Sequence, residues 1–574
     1  PTVRGAIDTL AELLSDPEPE IRAQAARVLG DEDCIEAKRE LQRLLAKEED
    51  PRVLMYVALA FRHIGSDQDA DALFDLLDRV GDSDPVLRHS VVMGLTSVGT
   101  MRIKESFDDP SPHVRMGCVL VMRRRHDGSL KHFLDDSDPR IVREAAIAIH
   151  DEFICFGIPE LARLITRPEL RTNAVVRRVL NAAFLSGQPS NARALATYAL
   201  REDQEEGHRV EALEMLADWE DPSKIDRVLG RWHHTKLGPR QTHYLPGVLA
   251  QLADRGILDA PPAVVETWIR TASSVSAPVG VHVTALVRDV KRPSSTRVAA
   301  IEAFAALDVP DRRDALSEAL ADVDGDVRAA ALDALLRLAP EDALPLLRTV
   351  VVDGEWPERR VAYRALGTLA DPRADEVLRA EVLKLAQDRI PAELALDLVL
   401  AAEARGDEAL DRALEEHRRA RQADAELAPW LDSLFGGDRR AGHRIFRADL
   451  ELSCLRCHRD VAEGEAQIGP DLVDLGERLT RLQILAAIVA PNRRVPAGYE
   501  TTTFFLKGGD VLEGRVVAED ERVVAIVISA GEVVSIDRSE IEESRPGLSA
   551  MPKGLAQSLS REEMRDLIQY LASL

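Results

Sequence analysis

The residues best suited to chemistry stand together at Cys454-Leu455-Arg456-Cys457-His458. Two thiols at C-x-x-C spacing, followed at once by an imidazole, form the pattern of covalent c-type haem attachment. The thiols add to two vinyl groups as thioethers, and the histidine reaches the iron as proximal ligand. With 5 Cys and 14 His among 574 residues, a chance match is expected on the order of 0.001 times per chain. The bland readings are a bare thioredoxin-like dithiol and half a zinc site. Against them, no second Cys pair follows and no βαβ pattern surrounds the motif.

Such a motif needs elements to hold it. Upstream, Gly442-His443-Arg444-Ile445-Phe446 reads as a short helix; downstream come a Gly469-Pro470-Asp471-Leu472 loop and an apolar helix over 479–490. Alternating strands at 501–506, 511–517, 522–528 and 532–536, with Lys507-Gly508-Gly509-Asp510 and Ala530-Gly531 turns, predict a β-meander over about 499–541. Ser549-Ala550-Met551-Pro552 then precedes Ser560-Arg561-Glu562-Glu563, a capping box opening a last helix. That helix has Met564, Leu567, Ile568, Tyr570 and Leu571 on its apolar face.

In this order the segment resembles a class I cytochrome c. The resemblance implies one covalent haem c, with Cys454 and Cys457 as attachment sites and His458 as proximal ligand. It implies that Gly442 and Phe446 cross Tyr570, that Pro470 packs the haem beside His458, and that Met551 is the distal ligand. A thioether ligand favours ferrous iron and raises the potential. The rival sixth ligands are Met564, which the helix spacing sends into a core, and His443, which it sends to a helix surface.

The rest of the chain is dominated by a repeat: a turn with Asp and often Pro, an apolar residue followed by Arg, then an Ala- and Leu-rich helical stripe. Copies include Asp16-Pro17-Glu18-Pro19-Glu20-Ile21-Arg22, Asp50-Pro51-Arg52, Asp84-Pro85-Val86-Leu87-Arg88, Asp109-Pro110-Ser111-Pro112-His113-Val114-Arg115 and Asp138-Pro139-Arg140-Ile141-Val142-Arg143. Later ones are Thr296-Arg297-Val298, Asp322-Val323-Asp324-Gly325-Asp326-Val327-Arg328 and Trp356-Pro357-Glu358-Arg359-Arg360. A period of about 27 to 36 residues suits two short antiparallel helices. Asp is a good N-cap and Pro is preorganised for a first turn, so each Asp-Pro is expected to start a helix. The spacing of Ile21, Ala25, Val28 and Leu29 buries one stripe on the neighbouring unit.

These residues resemble HEAT repeats of the short Asp-x-x-x-x-Val-Arg kind, also seen in the phycobilin-lyase-like group. The resemblance covers about 1–425 and weakens near 205–290, where Trp232-His233-His234 and Gln241-Thr242-His243-Tyr244 interrupt it; that stretch is still expected to be helical. The expected organisation is mainly α: a HEAT-repeat α-solenoid over 1–430, then an all-α cytochrome c domain over 436–574 with the β insert. A solenoid offers an extended surface for protein partners. The chain starts at Pro1 on what reads as the second helix of a repeat, from which an upstream partner or domain is expected.

With 74 Lys plus Arg against 99 Asp plus Glu, the net charge of -25 argues against nucleic acid. No run approaches the ~18 to 20 apolar residues of a membrane span. Cys34, Cys118 and Cys155 are expected to pack as small hydrophobes. His233, His234 and His243 form a His cluster with no carboxylate motif of known metal spacing nearby. No Ser/His/Asp order, P-loop or Gly-rich dinucleotide turn is visible, so catalysis beyond redox has no footing.

Repeats, a Gly-x-x-x-Phe start, C-x-x-C-H, Pro491-Asn492, Gly498-Tyr499-Glu500, the β insert and a Ser-x-Met-Pro ending together resemble large planctomycete-type cytochrome c proteins. In that family a propeller similar to quinoprotein sugar dehydrogenases often precedes the repeats. The resemblance implies one-electron transfer with a protein redox partner, in a periplasmic or otherwise exported compartment. Alternatives are an interaction scaffold in a larger assembly, or the electron-accepting part of a sugar dehydrogenase whose catalytic propeller is elsewhere. Catalysis by this chain alone is not expected.

Overall fold

The structure, a computed structural model, describes residues 6–168, 172–232, 240–338, 343–421, 424–448, 452, 454, 457, 458, 468–528 and 532–574. The chain divides into two compact units, Pro1–Pro310 and Asp311–Leu574. The Leu434–Asp438 junction lies inside the second unit.

In the first unit the repeat is a pair of helices, and its turn chemistry is visible atom by atom. Asp50 accepts from the Arg52 and Val53 N–H groups at 2.9 and 3.1 Å, with Pro51 opening the helix Pro51–Ile64. Asp84 does the same for Val86 and Leu87, both at 2.9 Å, at the start of Pro85–Leu95. These carboxylates satisfy backbone donors that a helix start leaves unpaired. In the two Pro-x-Pro copies the expectation fails by two residues. There the second proline, Pro19 or Pro112, opens the helix, while Asp16 and Asp109 accept from Glu18 and Ser111 in the turn before it. A proline disfavours the α region for the residue before it, so Glu18 and Ser111 stay extended and the helix waits.

The recurrent arginine explains itself in the same frame. Arg22 donates from Nη1 to the Asp16 and Pro17 carbonyls at 2.9 and 3.2 Å, and from Nε and Nη2 to Glu48 at 2.8 and 3.0 Å. Glu48 in turn accepts from the Asp50 N–H, in the turn of the next repeat. Arg115 repeats the arrangement with the Asp109 and Pro110 carbonyls and the Asp136 carboxylate, which accepts from the Asp138 N–H. In the second unit Arg328 reaches the Asp322 carbonyl at 2.8 Å and Glu355 and Glu358 at 2.8 and 2.9 Å. Each rung is charge-assisted and ties one turn to the next.

The stretch 205–290 is helical only in part. Helices Glu206–Ala217, Leu245–Asp254, Pro262–Ser274 and Gly280–Arg288 are present, but from Asp218 the chain runs through turns to an isolated bridge between Ile225 and Trp232. Buried Asp226 organises this departure: it accepts from the Val228 and Leu229 N–H groups and from Asn181 Nδ2, all within 2.8 Å. Asn181 Nδ2 also lies 2.8 Å from His150 Nε2, whose Nδ1 meets Asp151. One polar chain therefore links the irregular turn to the repeats.

The second unit begins with repeat helices and ends differently. After Ala392–Arg405 and Glu408–Ala420 come α1 (Arg439–Ala448), α2 (Arg481–Val489), five strands and α3 (Arg561–Leu571). The strands are β1 (Glu500–Leu506), β2 (Val511–Glu519), β3 (Val523–Val527), β4 (Val533–Asp537) and β5 (Ile541–Ser549). They form one antiparallel sheet in the order β4-β3-β2-β1-β5. The insert is thus larger than the expected 499–541: a fifth strand returns to pair with β1, Phe504 facing Ser544 and Glu500 facing Ser549. Phe504, Val524, Ile526 and Ile536 make the sheet's own small core. Among the described residues no helix is long and apolar enough to cross a membrane.

Candidate functional site

The helices of the C-terminal region meet at close quarters because glycine permits it. A Cβ on Gly442 would lie 2.0 Å from the Asp566 carbonyl oxygen and 2.7 Å from Tyr570 Cβ, so α1 crosses α3 backbone to backbone. Phe446 then packs on Tyr570 with ring centroids 5.6 Å apart. The crossing helices share an apolar cluster with Leu472, Leu475, Ile484, Leu485, Ile488, Leu559, Met564, Leu567 and Ile568. Cys454 and Met551 both pack at the edge of this cluster, half-buried.

Within the C-x-x-C-H motif the described residues are Cys454, Cys457 and His458. The Cys454 carbonyl accepts from Cys457 N at 3.2 Å and from His458 N at 3.0 Å. His458 Nδ1 lies 2.8 Å from the Pro470 carbonyl. A carbonyl only accepts, so Nδ1 carries the hydrogen and Nε2 the lone pair. Burial pushes the imidazole below its ordinary pKa, outweighing the opposing pull of the Pro470 carbonyl. The ring is therefore neutral near pH 7, the form that binds metals. Gly469 donates its N–H to the Cys457 carbonyl at 2.9 Å. A Cβ there would meet His458 Cε1 at 2.8 Å and Nδ1 at 2.9 Å, so the imidazole's seat requires glycine.

Met551 is delivered by β5 and fixed by three successive hydrogen bonds. Thr501 Oγ1 donates to the Leu548 carbonyl at 2.6 Å, Asn492 Oδ1 accepts from Ser549 N at 2.7 Å, and Ser549 Oγ accepts from Met551 N at 3.2 Å. Thr501 is buried, and a Cβ on Gly547 would come within 2.2 Å of its Oγ1. The two rival ligands sit elsewhere: Met564 is wholly buried in the core, and exposed His443 stacks edge-on against Tyr570 at 5.2 Å. Two half-buried thiols, a neutral imidazole with Nε2 available, and a thioether at the rim of one apolar cluster are the donor set that a c-type haem takes. The residues present fit that group.

The C-terminal region is joined to the last repeats within the second unit by buried charge. Asp397 Oδ2 accepts from Arg360 Nε at 3.0 Å and from Arg565 Nη1 at 2.8 Å, with Asp397 and Arg565 only 6% and 4% exposed. Arg561 adds an ion pair to Glu403. None of these partners has a local sequence signal, and the same is true of Thr501. Only the Pro491-Asn492 dipeptide stands out in the sequence.

Of the remaining cysteines, Cys34 and Cys118 are buried, and burial pushes the Cys118 thiol up to about 12. Cys155 departs from expectation: it is exposed, at a cavity of about 270 Å3 also lined by Phe153, Ile158 and Leu185. Phe153, with a φ of 49°, and Phe156 are exposed as well. Of the His cluster, His233 and His234 lie outside the described residues, and His243 stacks on Tyr244 at 5.6 Å. Among the described residues no group of three or more His, Cys, Asp or Glu is placed to hold a metal ion.

Comparison with known proteins speaks to the helical part. Residues 7–96, 283–367 and 313–399 match HEAT repeats. No curated protein sequence matches the chain. Among solved structures, Kap121p bound to Nup53p is 13% identical with a TM-score of 0.43, over 94% of this chain and 59% of that one. Importin beta is 12% identical with a TM-score of 0.37, over 85% and 72%. The Pds5–Scc1 complex is 10% identical with a TM-score of 0.32, over 72% and 83%. The chain spans a little over half the length of the Kap121p structures it matches, 54% of a Kap121p mutant and 59% of the Nup53p-bound form. Sequence match and paired helices agree that HEAT repeats are present in both units, over 7–96 and 283–399.

Proposed function

We propose that this chain is a protein-binding scaffold of HEAT repeats that carries, at its C-terminal end, one covalently attached c-type haem through which single electrons pass. The observation that carries the haem reading is the turn at Cys454–His458, in which the Pro470 carbonyl fixes the imidazole as a neutral ring with its Nε2 lone pair available. Cys454 and Cys457 would hold the group by thioether bonds, His458 and Met551 would bind its iron, and Pro470 would orient His458. When bound, such a group supplies reversible one-electron oxidation and reduction. The protein's part is to hold both axial ligands still, and to seat the group against the cluster around Phe446, Leu485 and Ile568. Thioether attachment places the protein in a periplasmic or otherwise exported compartment. The repeats supply the surface for the redox partner or the larger assembly.

The test is the absorption spectrum of protein produced together with haem-attachment machinery. Colour that stays with the polypeptide through denaturation and acid-acetone extraction, and is lost in Cys454→Ala/Cys457→Ala, is the expected result. A colourless wild-type protein under those conditions overturns the haem reading and leaves the HEAT scaffold alone.

A further inference from the structure

The β insert reads as decoration on a haem domain until its last strand is followed residue by residue. β5 pairs with β1 as far as Glu500 facing Ser549, and Met551 stands two residues beyond. Three side chains grip that exit: Thr501 Oγ1 the Leu548 carbonyl at 2.6 Å, Asn492 Oδ1 the Ser549 N–H at 2.7 Å, and Ser549 Oγ the Met551 N–H at 3.2 Å. They come from three different places, Thr501 from β1, Asn492 from the turn after α2, and Ser549 from the strand itself. Asn492 is the only one that ties the strand to the helical cluster, since α2 contributes Ile484, Leu485 and Ile488 to it.

We propose that this three-point clasp is a positioning device for the sixth ligand, with Asn492 as its central residue, so that the sheet governs how readily the iron's distal position opens to an outside ligand. This rests on the haem reading given above. Asn492 touches neither the thioether nor the group it would bind; it acts through Ser549. With the clasp closed, backbone atoms 548, 549 and 551 are held and the thioether is presented at a fixed place. With Asn492 removed, the Ser549 N–H loses its acceptor, the strand end gains freedom, and a competing ligand finds the position open for a larger fraction of the time. No redox step is involved: an iron–sulfur bond breaks and an iron–nitrogen bond forms.

The experiment uses full-length ferric protein and imidazole as the outside ligand. Wild type is expected to show the weak far-red charge-transfer band of thioether-ligated iron. Asn492→Ala is expected to keep its covalent haem and to bind imidazole about tenfold more tightly, the worth of one backbone hydrogen bond. Asn492→Asp, which still offers an oxygen to the Ser549 N–H, should restore most of the wild-type affinity, and Thr501→Val should fall between. Amide hydrogen exchange at 548–551 should speed up in Asn492→Ala, a readout independent of the iron. Covalent haem without the far-red band in wild type overturns both Met551 ligation and the clasp. A wild-type band, with imidazole affinity in Asn492→Ala within twofold of wild type, overturns the clasp and leaves Met551 ligation standing.

Discussion

The HEAT array and the C-terminal region are held together on opposite plans. In the array one solution recurs: Asp caps a helix, Pro presets its first turn, and an Arg such as Arg22, Arg115 or Arg328 bridges its own turn to a carboxylate ahead. Every rung has others like it above or below. In the C-terminal region the devices differ from one another: the glycine crossing at Gly442, the imidazole seat at Gly469, the clasp at Asn492 and the buried charge at Asp397. A repeated device spreads the load and tolerates loss; a single one concentrates it. A scaffold can accept variation rung by rung, whereas a site that must hold ligand atoms to a fraction of an ångström cannot.

The sharpest way to break that contrast is at Asp397. Its carboxylate is the shared partner of Arg360 and Arg565, and removing it leaves the buried Arg565 guanidinium beside the half-buried one of Arg360 with no carboxylate between them. Burial already pulls Arg360 below its ordinary pKa, so it has little water to fall back on. Asp397→Ala should cost about 3 to 5 kcal/mol, the usual penalty for breaking a buried pair from one side. It should also release α3, which is checked by denaturant unfolding together with hydrogen exchange over 561–571. A loss below about 1 kcal/mol would mean that the C-terminal region does not depend on this charge.

A second, smaller effect belongs to the first unit and tests whether its one irregular joint behaves like a rung. Burial alone would raise the Asp151 carboxyl, but hydrogen bonds from His150 and Arg178 and the Arg178 charge overcome this and hold it at about 2, below its ordinary 3.8. A depressed carboxyl stabilises the fold above its ordinary pKa, and that stability drains away as pH falls from about 4 toward 2. The amount is about 2 kcal/mol. Asp151→Asn should lower the denaturant midpoint at neutral pH and flatten the acid limb of the stability curve relative to wild type. An unchanged acid limb would show that the His150, Asn181 and Asp226 chain carries the joint without Asp151.

What was legible in the sequence follows the same divide. The Asp-Pro turns could be read because capping is local: donor and acceptor are two or three residues apart. The C-x-x-C-H spacing could be read because Cys454, Cys457 and His458 lie within five positions of one another. The fifth strand was not, because Ile541–Ser549 carries Glu542, Glu543, Ser544 and Arg545 in a row and lies largely exposed; pairing with β1 makes it a strand, not alternation. Asn492 and Ser549 lie 57 residues apart, so no local pattern could join them. Cys155 was misplaced because its neighbours Phe153 and Phe156 look like core, yet both are exposed. Asp218 to Trp232 looked like a faint repeat and is instead turns organised by Asp226, because a buried carboxylate with three donors outweighs helix propensity.

The smallest effect is the one that defines a repeat array. Asp50 and Asp84 cap the corresponding helices of neighbouring repeats, Pro51–Ile64 and Pro85–Leu95, which pack against one another, yet each carboxylate accepts only from the first turn of its own helix. Replacing either by Ala should cost about 1 kcal/mol, because Pro51 and Pro85 still preset the first turn while the N–H donors lose their acceptor to water. The two sites share no partner, so Asp50→Ala/Asp84→Ala should equal the sum of the single losses within about 0.5 kcal/mol. Matched urea titrations of the four proteins measure this. A double loss well beyond the sum would mean that neighbouring rungs support one another, and the distinction between a load-sharing array and a single-point site would shrink. Additivity would establish that the repeats contribute as independent increments.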